Sequence, residues 1–345
     1  MRKSIDFIKR ERVYVLLFIF AALFHLSLFF ADRIFTDDGA KAPLAGGEEL
    51  VSGEEILRIG ESDPLLALVL AAFIAAFVFF AAAGLILDIS YLYMRIRGRP
   101  LIARTRPIER GRWGLWDVCK VGIIFYAAQP VIWLAAPFFL SAVPYLAKRQ
   151  NLGLMLSATL ADIAALAAVF YFALKKRRHS PSSLGLTPER PLSNIGYGAL
   201  AYIGLVPVLA GAMFFTAALF EKFNIPIEPQ HILVMLMKEN HIPTLIYMCL
   251  FTGVLGPVIE EIFFRGFVYG ALRKKAGIFG GIMISAVFFA CVHTNPASFL
   301  PILCLGILLA YLYEKTGSLI PSMTVHILHN SASLALLVFI KQISG

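Results

Sequence analysis

Long apolar runs broken by short polar connections set the pattern of this chain. They fall at Val13–Ala31, Pro64–Leu87, Val121–Ala147, Leu152–Leu174, Ile195–Phe220, Pro243 to about Leu272, Phe279 to about Thr294, Ala297–Tyr313 and Leu319–Ile340. Apolar runs of about 18 residues suggest bilayer-spanning helices, and these lack the alternation of a membrane-barrel strand. The pattern predicts an all-α, polytopic transmembrane helix bundle of eight to nine spans, with nine preferred. Prolines 130 and 137 in the third run, 207 in the fifth and 257 in the sixth each remove a backbone hydrogen bond and predict kinks. Gly196, Gly198, Gly204 and Gly211 in the fifth run predict close helix packing. The proline-bearing stretch from His179 to Asn194 reads as a loop, so the chain divides into residues 1–180 and 181–345.

Composition agrees with the periodicity. Apolar residues make up 59% and charged residues 15% of the 345, which excludes a soluble enzyme or a disordered tail. The net charge of +9 reports orientation rather than nucleic-acid binding once its distribution is considered. Residues 1–12 carry five basic side chains, whereas the segment from Asp32 to Asp63 carries nine acidic and three basic ones. Seven arginines and a lysine between Arg95 and Lys120, and a cluster from Lys175 to Arg178, join the amino terminus on the expected cytoplasmic side. The first run reads as an uncleaved anchor in a cell-membrane protein. Cys119, Cys249, Cys291 and Cys304 show neither disulfide nor zinc-knuckle spacing.

His25, Asp88 and Asp162 are lone polar residues in the first half, and each has a structural reading at least as good as a functional one. The second half is different, because GVLGPVIEEIFFRGFVYG places Glu260, Glu261 and Arg265 within an apolar helix. Charges at such depth cost about 2.5–3.5 kcal/mol each, so they need partners or a water-filled cavity. Glu261 and Arg265, at i and i+4, can pair, and Glu260 is left over as a general-base candidate. Phe289 with His293, and His326 with Asn330, repeat the i, i+4 spacing on two later helices, with His329 on an adjacent strip. Glu260 and His293 are equidistant from a turn expected at Ala276–Gly277, after Arg273-Lys274-Lys275, which places them at one depth. His326 and Asn330 join that depth from a second turn at Ser318. Both turns are expected on the cytoplasmic side, with substrate entering from there or laterally from lipid.

In order, Glu260-Glu261-x-x-x-Arg265, Phe289-x-x-x-His293 and His326-x-x-x-Asn330 resemble the three motifs of the CAAX protease and bacteriocin-processing (CPBP, or Abi) family of intramembrane endopeptidases, over about 240–340. The resemblance implies a polar catalytic cavity between the C-terminal helices, in which Glu260 and His293 activate a water and His326 and Asn330 stabilise the oxyanion. Glu261 and Arg265 would hold the first helix, and Phe289 would pack beside the site. It implies membrane lipid and a membrane-associated or lipidated peptide substrate as partners, and no nucleic acid. Metal-free catalysis is preferred. A zinc-dependent version would draw on Glu260, His293 and His326, although neither HExxH nor HxxEH occurs. Further alternatives are a proton-coupled transporter and a non-catalytic immunity or scaffold protein.

Overall fold

The computed structural model describes residues 11–35, 64–99, 111, 113–176 and 178–344. The basic residues within 1–10 and the acidic stretch 36–63 lie outside them, as does most of the arginine-rich loop. The described residues form helices and no strand. Seven helices are long and apolar enough to cross a membrane, and Arg12–Ser27 is a shorter apolar helix. One of the seven, Ile242–Val292, is bent back on itself. At Gly277 the backbone leaves the helix with φ +72° and ψ −173°, a conformation open to glycine, so the expected turn lies there. Each of the nine apolar runs therefore coincides with a helix, and the chain is an all-α integral membrane protein.

The described residues form two compact units, one of 11–35 with 116–172 and one of 64–99, 111 and 113–115 with 173–176 and 178–344. The first contains α1 (Arg12–Phe35), α3 (Leu115–Ala142, but for its first residue) and α4 (Gln150–Phe170). Lys120 pairs with Glu11 at 2.6 Å. His25 is accounted for within this unit, since Nδ1 meets the Ala21 carbonyl at 2.8 Å and the ring stacks on Tyr126 with centroids 4.3 Å apart. Asp162 and His25 help line a cavity of about 700 Å³ beside the kink prolines 130 and 137.

The second unit contains α2 (Pro64–Ile96), α5 (Pro191–Lys222), the short amphipathic α6 (His231–Lys238), the bent rod α7 (Ile242–Val292), α8 (Phe299–Thr316) and α9 (Ile320–Ser344). α5 is its hub, packed on α2, α8 and α9. Two of the expected glycines make that packing possible. A Cβ on Gly198 would lie 2.7 Å from the Pro321 carbonyl oxygen, and one on Gly204 would lie 2.9 Å from Asp88 Oδ1. Gly196 and Gly211 face open space and do not serve this role. Leu205 and Leu209 of α5 meet Phe264, Phe289, Ile302, Leu305 and Val325 in the core. Phe214 and Phe279 are exposed on outer faces, as lipid-facing side chains are.

The two arms of α7 run antiparallel. Ser285 Oγ lies 3.5 Å from the Phe264 carbonyl, and Phe264 and Phe289 meet edge to face with centroids 5.1 Å apart. The first arm carries two π-helical stretches, Phe251–Leu255 and Ile262–Tyr269, around the six-residue turn Gly256–Glu261. Pro257 has no N–H and its ring would crowd the carbonyl four residues back, so the widened first stretch accommodates it without a sharp break.

Candidate active site

Glu260 and Glu261 close the turn between the two π-helical stretches, a type of irregularity common at functional sites. Adjacent positions on one helix point in different directions, and their environments diverge. Glu261 is fully buried, and its Oε1 accepts hydrogen bonds from Arg265 Nη1 at 2.8 Å and from His326 Nδ1 at 2.9 Å. Arg265 is also fully buried, with its guanidinium 4.1 Å above the Phe289 ring. The expected Glu261–Arg265 pair is therefore present, while the link to His326 is additional and ties α7 to α9.

Glu260 is 37% exposed, yet its Oε2 is buried without a hydrogen-bonding partner among the described protein atoms. The imidazole facing it is His326, with Nε2 at 3.9 Å from Oε2. His326 itself is almost fully buried. An ionised carboxylate only accepts hydrogen bonds, so the contact to Glu261 makes Nδ1 a donor and turns Nε2 of His326 toward Glu260.

His293 terminates the second arm. Its Nδ1 lies 2.7 Å from the Phe289 carbonyl, which makes Nδ1 the donor of that contact. Phe289 stands between the two histidines, edge to face with His293 at 4.7 Å and with His326 at 5.6 Å between centroids. It is fully buried, in keeping with a packing residue beside the site. Asn330 Nδ2 donates to the Thr252 carbonyl at 2.9 Å, at the first π-helical stretch, and retains a second N–H. His329 points elsewhere, toward Tyr202 at 6.3 Å. All seven motif residues thus converge on three neighbouring segments. Among the described residues, no three His, Cys, Asp or Glu side chains assemble into a group that could hold a metal ion.

The turn end of the unit is held by groups that the motifs do not include. Glu314 takes a bidentate pair of bonds from Arg273 at 2.6 and 2.8 Å and one from Tyr269 at 2.7 Å. Trp113 is buried, donates to the Phe267 carbonyl at 2.8 Å and stacks on the Phe267 ring. Charge complementarity between Arg273 and Glu314, close to the two expected turns, is the one sequence signal that could have revealed this cluster.

A helical membrane bundle that joins two adjacent glutamates, one of them buried, to a buried histidine on another helix defines the class. Residues 242–332 match the family described as Type II CAAX prenyl endopeptidase Rce1-like, which supports the resemblance to the CPBP family. It is 30% identical over 158 residues to the protein named "Putative membrane peptidase YdiL" of Bacillus subtilis (strain 168), covering 43% of this chain and 62% of that one. It is 36% identical over 75 residues to "UPF0177 protein YxdF" of Lactococcus lactis subsp. lactis (strain IL1403), covering 21% of this chain and 41% of the relative. The chain thus spans less than two thirds of either relative's length. No solved structure matches it.

Proposed function

We propose that the protein is an intramembrane endopeptidase that hydrolyses a peptide bond of a membrane-associated or lipidated protein or peptide with a water activated by Glu260. The observation that carries this reading is the orphaned Glu260 Oε2 opposite His326 Nε2 at 3.9 Å. A water between them donates one hydrogen to each acceptor and presents its lone pair to a carbonyl carbon. Glu260 takes a proton as the O–C bond forms, and returns it to the amide nitrogen as the C–N bond breaks, so water adds across the peptide bond and no other reactant is consumed. His293, with its free Nε2, is the second base. The resemblance implied an oxyanion role for His326 and Asn330; in this reading His326 Nε2, facing Glu260, borders the water, and the second N–H of Asn330 is the oxyanion donor.

Membrane peptidomics of wild-type cells against cells carrying Glu260→Gln tests the activity. New peptide termini present only with the wild-type protein are expected. Identical termini in both, at equal protein abundance, would remove the peptidase reading.

A further inference from the structure

The cavity in the first unit has no part in the peptidase reading. Phe24, Phe125, Trp133 and Leu154 give it largely apolar walls, and its volume of about 700 Å³ falls within the ~300–1,000 Å³ of small-ligand sites. Trp133 of α3 and Leu154 of α4 are exposed, so the cavity is reached from lipid between those two helices.

Its polar groups lie deep in the membrane. His25, Gln129 and Asp162 all line it, and each stands near the middle of its own helix, α1, α3 and α4 respectively. Hydrocarbon offers no water to a polar group at that depth, so each must find a partner. The Gln129 carboxamide nevertheless forms no hydrogen bond with any described residue. His25 gives Nδ1 to the Ala21 carbonyl at 2.8 Å, and its Nε2 is likewise without a bond among the described residues. The two groups are neighbours. The His25 ring stacks on Tyr126 with centroids 4.3 Å apart, and Gln129 follows Tyr126 by three residues, on the same face of α3.

The kink in α3 adds acceptors to this set. Pro130 has no N–H, so the Tyr126 carbonyl lacks the donor that a regular helix would supply, and Pro137 deprives the Trp133 carbonyl in the same way. One hydroxyl complements the whole arrangement. In a neutral His25 with Nδ1–H directed at Ala21, Nε2 accepts, the Gln129 amide donates, and a hydroxyl can answer both. An anionic head is disfavoured, because Asp162 is in the lining and, among the described residues, no Lys or Arg is. A fully apolar chain would leave Gln129 and His25 unanswered.

We infer that the cavity of the first unit binds a neutral lipid whose polar end is a free hydroxyl, an acylglycerol or a long-chain alcohol. The hydroxyl sits at His25 and Gln129, and the chain lies along the aromatic walls toward Leu154. None of these residues belongs to the second unit, so the inference stands or falls apart from the peptidase reading.

Photocrosslinking to the purified full-length protein in phosphatidylcholine nanodiscs tests it. Three diazirine probes are compared: a monoacylglycerol, a long-chain alcohol, and the methyl ether of that alcohol, which has the same chain and cannot donate. The monoacylglycerol or the alcohol should modify peptides of α3 and α4 that line the cavity, and the stronger of the two identifies the class of lipid. Loss of one ordinary hydrogen bond corresponds to about fivefold weaker binding, so the ether should label these peptides about fivefold less. Gln129→Leu and His25→Phe should each lower labelling by the alcohol or acylglycerol to a similar degree, with unfolding midpoints near wild type. His25→Phe keeps a ring against Tyr126, and Gln129→Leu removes no bond to a described residue. Equal labelling by alcohol and ether, labelling unchanged in Gln129→Leu, or no labelling of these peptides by either hydroxyl probe overturns the inference. A change of oligomeric state in Gln129→Leu with labelling unchanged also overturns it, and makes the carboxamide a contact between copies. Should both variants fail to fold, native mass spectrometry of the unaltered protein decides. A retained hydroxyl-bearing neutral lipid, displaced by added alcohol or monoacylglycerol but not by the ether, is expected, and its absence overturns the assignment.

Discussion

Glu261 accepts a hydrogen bond from Nδ1 of His326 at 2.9 Å, and that contact determines which imidazole nitrogen faces Glu260. The same oxygen, Oε1, holds Arg265 at 2.8 Å, so one carboxylate balances a buried cation and orients an imidazole at once. Neither duty requires Glu261 to touch a substrate. On the proposed function it is a positioning residue, and the two adjacent glutamates divide the work between chemistry and orientation.

Arg265→Ala should destabilise the protein strongly, because it leaves Glu261 as an unpaired carboxylate in a fully buried position. Breaking such a pair costs about 3–5 kcal/mol. Thermal unfolding in detergent should show a lowered midpoint, and membranes should hold less protein. An inactive Arg265→Ala protein as stable as wild type would instead place the arginine in the chemistry.

Glu260→Gln and His293→Ala are expected to abolish peptide cleavage with little change in the amount of folded protein. Glu260 Oε2 has no hydrogen bond among the described protein atoms to lose, and His293 Nδ1 bonds a carbonyl in its own helix. Size-exclusion profiles and unfolding midpoints near wild type, together with lost turnover, are the expected pair of results. Near-normal turnover in either variant sinks the assignment.

Asn330→Ala should have two separable effects. Loss of one oxyanion donor lowers kcat by about 10²- to 10³-fold. Loss of the bond to the Thr252 carbonyl removes about 1 kcal/mol from the join between α9 and the first π-helical stretch. A change confined to KM would make Asn330 a substrate-binding group.

Gly266→Val tests the packing beneath the site. A Cβ at Gly266 would stand 2.8 Å from the Leu184 carbonyl oxygen, a backbone atom that cannot move aside alone. Overpacking of this kind costs about 1–3 kcal/mol. The unfolding midpoint should fall, and suppression should come from changes in the 181–185 segment rather than from the motif residues.

The helices were legible because long apolar runs have few ways to satisfy their backbone in lipid other than as helices. The antiparallel arms about Gly277 were legible too, from the placement of Glu260, His293 and a basic cluster around one glycine. Other features had no signature in the sequence. A π-helical stretch changes the hydrogen-bond partner without a distinctive residue pattern, so the Thr252 carbonyl was not foreseeable as the acceptor for Asn330. Helical spacing could pair Glu261 with Arg265, since both lie on one helix, but says nothing of a partner 65 residues away on another. The grouping of α2 with the later helices was likewise hidden, because α2 packs on α5 across about a hundred residues of sequence.

The dependence on metal provides the last test. A zinc site needs ligand atoms about 2.0–2.2 Å from one point, in roughly tetrahedral array. Nε2 of His326 stands 3.9 Å from Glu260 Oε2, wider than two atoms bound tetrahedrally at those distances. Among the described residues these side chains do not form a three-ligand group. Exhaustive chelation of purified protein should therefore leave turnover unchanged, and elemental analysis should find no stoichiometric zinc. If chelation abolishes activity and zinc restores it, Glu260, His293 and His326 must rearrange to bind the ion, and the two-acceptor arrangement proposed for the water is wrong.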